Sequence, residues 1–199
     1  MRSRLSLCGM WAAGLLLTAA VGMAEEKKDK AQAPEADKPG PEHRQLARLA
    51  GEYTTVSKFR LKPDDAPLES KGTAKITSVL DGRFLLEENT GTQFTQFGQP
   101  YKGVRLVGYN NATKQYEASW TYSLSTAIMT MTGSGKDEGK LIEWAAHFMN
   151  EKGAKQSLHV TTRQLDDDHF VVELFGKTPE GEKGPAVETT YTRKKMEKP

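Results

Sequence analysis

The chain contains four histidines, His43, His147, His159 and His169. None stands in the H-x-H or H-x-x-x-H spacing that puts two imidazoles on one face of a strand or helix and begins a zinc site. Each therefore reads as a surface or strand residue. His147 and His159 fall on neighbouring strand segments, on the face opposite Trp144 and Leu158. They are the pair to watch for an axial haem ligand. Asp166-Asp167-Asp168 carries enough carboxylate for calcium, but the glycine and distant glutamate of an EF-hand loop are missing. The run reads as turn chemistry. Ser119, Ser123 and Ser125 lack the G-x-S-x-G context of an activated serine. Glu87 and Glu88 would point to opposite faces of a strand, so they are not a paired acid and base. If Phe84 and Leu86 face inward, Glu88 does too, and Arg83 or Arg105 would have to pair with it. No catalytic residue, metal site or cofactor is expected, and the pattern gives no positive case for an enzyme.

A different set of residues points to binding. Tyr116, Trp120, Tyr122, Met129, Met131 and Trp144 would share one face of consecutive strands. Apolar walls with a few phenol and indole donors suit a small hydrophobic or amphipathic ligand. The same side chains would serve equally as a solid barrel core. Phe94 and Phe97, in a polar segment containing glycine, would either pack under a loop or act as a lid over a cavity mouth.

The strands that carry this set are legible by their period. In Tyr116–Tyr122, apolar and aromatic residues alternate with Glu117, Ser119 and Thr121. Met129 and Met131 alternate with Thr130 and Thr132. Ile142, Trp144, Ala146 and Phe148 alternate with Glu143, Ala145 and His147. A period of two means one buried and one wet face. A helix of this length would not tolerate so many Gly and Thr. The turns would fall at Asn110-Asn111 and at Gly133-Ser134-Gly135 with Gly139, all able to take positive φ.

The 199 residues, 27% of them charged, bound the rest. Met1–Ala24 reads as a secretory signal peptide: Arg2 and Arg4, then an apolar run Trp11–Val21, then small residues for cleavage before Glu25. The apolar run is too short to span a membrane comfortably. The single cysteine, Cys8, precedes that run, which argues against a lipid anchor. It leaves the mature chain without disulfides or thiol chemistry. Removing Arg2 and Arg4 takes the basic residues from 28 to 26, equal to the 26 acidic ones. A neutral chain gives no electrostatic case for nucleic acid or an anionic membrane surface. Glu25–Pro41 is charged and proline-rich and reads as a disordered spacer. A barrel domain, 42–195, and a polar tail, 196–199, follow. The expected location is outside the cytoplasm, periplasmic or secreted.

Within the domain a short helix from Glu42 to about Ala50 would plug one end. Strands follow at Gly51–Arg60, Ser70–Leu80, Arg83–Asn89, the central four, Lys155–Arg163, His169–Phe175 and Val187–Lys194, with Thr90–Pro100 as a loop. About ten short strands joined by hairpins favour an antiparallel up-and-down β-barrel, which leaves no exposed edge. A β-sandwich is the alternative.

The run G-Y-N-N-A-T-K-Q-Y-E-A-S-W-T-Y-S-L-S-T, Gly108–Thr126, resembles the signature of the bacterial domain-of-unknown-function family 1579. L-D-G-R-F-L-L-E-E (Leu80–Glu88), L-A-R-L-A-G-E-Y (Leu46–Tyr53) and Y-T-R-K (Tyr191–Lys194) fit it too, so the resemblance covers about His43 to Lys195. It implies a lipocalin-like, calycin-type barrel in which Tyr53, two residues after Gly51, packs against Arg193 of the last strand. Calycins usually carry Trp at the position of Tyr53. The family often has an Asp shortly after the tryptophan, where this chain has Tyr122, so no role passes over from that Asp. The resemblance implies a fold and no reaction.

Three functions remain open from the sequence. The first is an exported barrel binding a small hydrophobic molecule in its interior. The second is an enzyme or haem protein in the same cavity, which would need His147, His159 or Glu88 to converge there. The third is a structural or partner-binding barrel without a ligand. A Met/aromatic face would serve a dimer interface as well as a core, so oligomeric state is open.

Overall fold

The computed structural model describes residues 38–60, 66–94, 99–176 and 185–195, apart from the side chains of 92–94 and 99. The leader, the spacer up to residue 37, Phe97, the Phe94 side chain and the tail 196–199 lie outside that description. Ten strands run in sequence order: β1 Gly51–Phe59, β2 Leu68–Val79, β3 Phe84–Phe94, β4 Gln99–Asn110, β5 Gln115–Tyr122, β6 Met129–Lys136, β7 Leu141–Met149, β8 Lys155–Gln164, β9 His169–Phe175 and β10 Val187–Arg193. Each pairs antiparallel with its neighbours, and β10 pairs with β1, so the sheet closes into a barrel with no free edge. The ten-strand barrel is the expected one.

One helix, α1 Pro41–Ala47, precedes the barrel. Pro41 occupies a first-turn position, where its missing N–H costs nothing, and the Gly40 N–H is satisfied by His43 Nδ1 at 3.0 Å. The chain is held on the barrel from Lys38, whose carbonyl accepts from Asn111 Nδ2 at 2.9 Å. Leu46 is buried and Leu49 packs beside it, so α1 seals one end. The turns at that end are 80–83, 110–114, 137–139 and 165–168. The longer connections lie at the other end.

The expected contact between Tyr53 and Arg193 is present in the geometry. Tyr53 and Arg193 are register partners, and the Arg193 guanidinium lies 4.9 Å from the Tyr53 ring centroid. Its Nη1 donates to Ala50 O at 2.7 Å and its Nη2 to Arg48 O at 2.8 Å. Arg193 therefore ties the exit of α1 to the last strand. Gly51 is required there, because a Cβ would collide with the guanidinium.

Several local expectations are corrected. On β3 the inward residues are Leu85 and Glu87, not Phe84, Leu86 and Glu88; Glu88 is exposed. The stretch read as a loop, Thr90–Pro100, is strand up to Phe94 and again from Gln99. Gly133–Gly135 are not a turn but part of β6. A Cβ on Gly133 would lie 2.8 Å from Trp144 Cε3, so the glycine makes room for the indole of the next strand. The reversal falls at Asp137–Gly139, all three at positive φ. At Asn110 the turn uses a side chain, not a left-handed backbone. Its Oδ1 accepts from the N–H groups of Ala112 and Thr113, and the positive φ sits at Lys114.

Candidate functional site: the barrel interior

Burial along the inner face is graded. Near α1, Tyr116, Ile142, Trp144, Thr162 and Phe170 are fully buried. Trp144 Nε1 donates to Thr162 Oγ1 at 3.1 Å, and Tyr116 meets Trp144 edge-on at 6.1 Å. A void of ≈ 20 Å³ between this layer and Arg105 has room for about one water. Towards the opposite end the inward residues of β5 and β7–β9 become half-buried. These are Trp120, Tyr122, Phe148, Leu158, Val172 and Leu174. These side chains face inward and still reach solvent; the stretch of inner wall they mark, at the end away from the helix, is called the cup below.

The β1–β4 side of that end is filled instead. Gly72 and Gly91 are register partners, and the Tyr101 ring lies across Gly91, where a Cβ would come within 2.7 Å of Tyr101 Cζ. The Tyr101 hydroxyl hydrogen-bonds Ser57, and Ser57 Oγ lies 2.9 Å from Thr189 Oγ1. Burial raises the Tyr101 pKa despite that bond. Ser57 and Ser70 are consequently buried at a level where Phe148 and Leu174 are not. Gly91 lets the Tyr101 ring lie against the wall, while a side chain on Gly72 would collide with the Thr90 carbonyl.

Below the cup lies a buried ion pair. Glu87 is 2% exposed. Arg105, its register partner on β4, donates from Nε to Oε2 at 2.9 Å and from Nη2 to the same oxygen at 2.6 Å. Oε1 accepts from the Tyr191 hydroxyl at 2.8 Å and from Asn89 Nδ2 at 3.0 Å. Both carboxylate oxygens are thus engaged, by three hydrogen bonds and the ion pair. Burial pulls the Arg105 pKa down, but the Glu87 charge, the Tyr191 phenol and the hydrogen bond to Glu87 together hold the guanidinium above its ordinary value. Burial, then the Glu87 charge, pushes Tyr191 well above the usual tyrosine range. The cluster anchors the interior. Because the carboxylate only accepts, Asn89 must present its NH₂ to it, which leaves Asn89 Oδ1 without a partner against Gly103.

The six residues expected to line a cavity all face inward, but at two levels. Trp120 and Tyr122 stack at the cup, centroids 4.7 Å apart. Tyr116, Met131 and Trp144 belong to the packed layers, with Met129 at the boundary. The histidines do not join them. His147 bonds Ser157, His159 lies against Phe175 on the outer face, His169 sits on Asp166, and His43 packs in α1 against Tyr109. His147, His159 and Glu88 therefore do not converge inside. Among the described residues no three His, Cys, Asp or Glu side chains gather as a metal site requires. Asp166 behaves as a turn residue, accepting from the Asp168 N–H at 2.8 Å. Arg105 is one of the two partners that the sequence offers for an inward carboxylate. Tyr191, Tyr101 and Asn89 carry no sequence signal of their own.

Fold and interior together define a closed ten-stranded antiparallel barrel, helix-sealed at one end, with a neutralised ion pair inside. The chain belongs to the family described as a protein of unknown function (DUF1579), whose model matches residues 38–193. No curated protein matches it. Among solved structures it is similar to the crystal structure of Rv2717c from M. tuberculosis, at 13% identity and TM-score 0.56, covering 79% of this chain and 100% of that one. A redesigned β-barrel is a more distant likeness, at 12% identity and TM-score 0.41, with 76% and 96% covered.

Proposed function

We propose that this protein is a lipocalin-like, calycin-type barrel that binds a small, largely apolar molecule in the cup at the end opposite α1. The observation that carries the reading is the burial gradient. Six apolar or aromatic side chains that face inward remain half-buried at one end, while the other end is packed shut. Exposed apolar surface inside a barrel is stabilised when a ligand covers it, by roughly 25 cal/mol per Å². Trp120 and Tyr122 would line the mouth, with Met129 beneath them and Tyr116, Met131 and Trp144 setting its floor. The Gly51–Tyr53–Arg193 contact supports the calycin-type assignment. The leader-like Met1–Ala24 supports export to the periplasm or beyond, which N-terminal sequencing of the protein from fractionated cells would test.

Native mass spectrometry of the protein from its natural host tests the binding reading. A small additional mass that disappears on denaturation is the expected result. A clean subunit mass, together with no response of Trp120 fluorescence to any apolar probe, would remove it.

A further inference from the structure

The outer wall of β3 and β4 carries an apolar stripe. Leu85 and Glu87 face inward on β3, so Phe84, Leu86 and Glu88 face out; on β4 the outward residues are Lys102, Val104, Leu106 and Gly108. Leu86 is the register partner of Leu106, and Phe84 of Gly108. A Cβ on Gly108 would come 2.5 Å from the Phe84 ring, so that ring lies against the wall. Val104 is 45% exposed and Leu106 38%, and none of the four apolar side chains belongs to the interior core. Beside them β5 presents the short side chains of Ser119 and Thr121, the partners of Leu106 and Val104. The stripe ends in opposite charges. Lys102 stands at the cup end, and Glu117, the partner of Gly108, at the α1 end. Counted along β4, the two levels lie three residues to either side of Arg105. Neither charge makes an ion pair among the described residues. Glu117 Oε1 accepts from Asn110 Nδ2 at 2.9 Å and from the Thr113 hydroxyl, both uncharged.

We infer that this stripe is the contact face of a homodimer, two barrels stacked wall to wall about a twofold axis that crosses β4 at Arg105. That axis lays β4 of one copy antiparallel over β4 of the other, so each residue of the stripe meets the stripe of its copy. Phe84, Leu86, Val104 and Leu106 of both copies close on one another. Lys102 of each copy reaches Glu117 of the other across a gap of about 10 Å between stacked sheets. A twofold axis along the strand would instead set Lys102 over Lys102, which is repelled. The second copy is the fitting occupant because the charge pattern complements itself under that one rotation. Glu88, at the edge of the stripe, stands opposite Lys75 of its own chain. A convex wall offers another convex wall a narrow strip, and the stripe is two strands wide. A contact of that size gives a dimer that separates on dilution.

Sedimentation velocity of the protein and its variants, run from micromolar to millimolar concentration, tests this. The unaltered protein should pass from monomer to dimer. Leu106→Glu, a change on the exposed wall that leaves the interior packing alone, should weaken the dimer by more than about tenfold. Lys102→Glu and Glu117→Lys should each stay monomeric where the unaltered protein dimerises, because each sets like charges against one another across the axis. Mixed in equal amounts, those two variants should pair with each other, since every charged contact between them then joins opposite signs. If Glu117→Lys unsettles the 110–117 hairpin, the unaltered protein and Leu106→Glu still decide. A monomer at every concentration, a dimer that Leu106→Glu leaves untouched, or folded charge variants that do not pair on mixing overturns the inference. The stripe lies outside the barrel, so that result leaves the binding reading standing.

Discussion

The Tyr191 hydroxyl donates a 2.8 Å hydrogen bond to Glu87 Oε1 across 104 residues of sequence. In the sheet, β1 and β2 lie between their strands. The Tyr191 ring also stacks on Phe170 at 4.1 Å. One side chain thus belongs both to the apolar plug and to the polar anchor beneath the cup.

Breaking the Glu87–Arg105 pair on one side should be worse than removing it altogether. Glu87→Leu leaves a guanidinium buried without compensation and should cost about 3–5 kcal/mol. Glu87→Leu with Arg105→Met should cost much less than the sum of the single changes. Urea denaturation of the four proteins measures the difference. Additive losses would show that the pair is not acting as a unit.

Alkali should destabilise the fold through Tyr191. Its folded pKa is raised well above the ordinary tyrosine value, first by burial and then by the Glu87 charge. A raised group stabilises the fold below its unfolded pKa and loses that contribution as pH rises, because the unfolded chain ionises first. Stability should therefore fall from about pH 10 upward. Tyr191→Phe should make that decline shallower, while costing about 1.5–3 kcal/mol at neutral pH for the lost bond to a charged acceptor. Thermal melts across pH 7–11 would show both effects.

Gly91→Ala should cost roughly 1–3 kcal/mol, because the added methyl meets the Tyr101 ring. In a Tyr101→Ala background the same change should cost markedly less. Equal penalties in the two backgrounds would mean that the ring is free to move aside.

Arg193→Lys should loosen α1 without opening the barrel. Lysine lacks the planar fork that reaches the carbonyls of Arg48 and Ala50 together. Amide exchange in residues 44–50 should quicken while β5–β8 stay protected. Uniform loss of protection would mean that the clamp holds the whole sheet.

The sequence was most readable where one face alternates cleanly. β5 and β7 stand where Tyr116–Tyr122 and Ile142–Phe148 placed them. Parity failed on β3 because Phe84, Leu85 and Leu86 are all apolar. Either face fits, and a one-residue slip exchanges Glu87 for Glu88. The partner logic survived the slip, since an inward carboxylate did meet Arg105. Glycine misled twice. Gly133 and Gly91 signal turns in one dimension, yet each clears space for an aromatic ring on a neighbouring strand, Trp144 and Tyr101. Glu87 and Arg105 meet as neighbours on β3 and β4, but Tyr191 reaches them only through the closure of the sheet, so that part of the network was out of reach.

That closure dictates when the molecule comes into being. β1 finds one of its two partners in β10, the last strand made, and Arg193 fastens the N-terminal helix only once that strand has docked. A nascent chain still short of residue 193 has β1 and β9 as open edges, an unpinned helix and a carboxylate lacking its Tyr191 donor. Such a chain closes its barrel only once β10 is available to pair, and until then its edges are open to pairing with other chains.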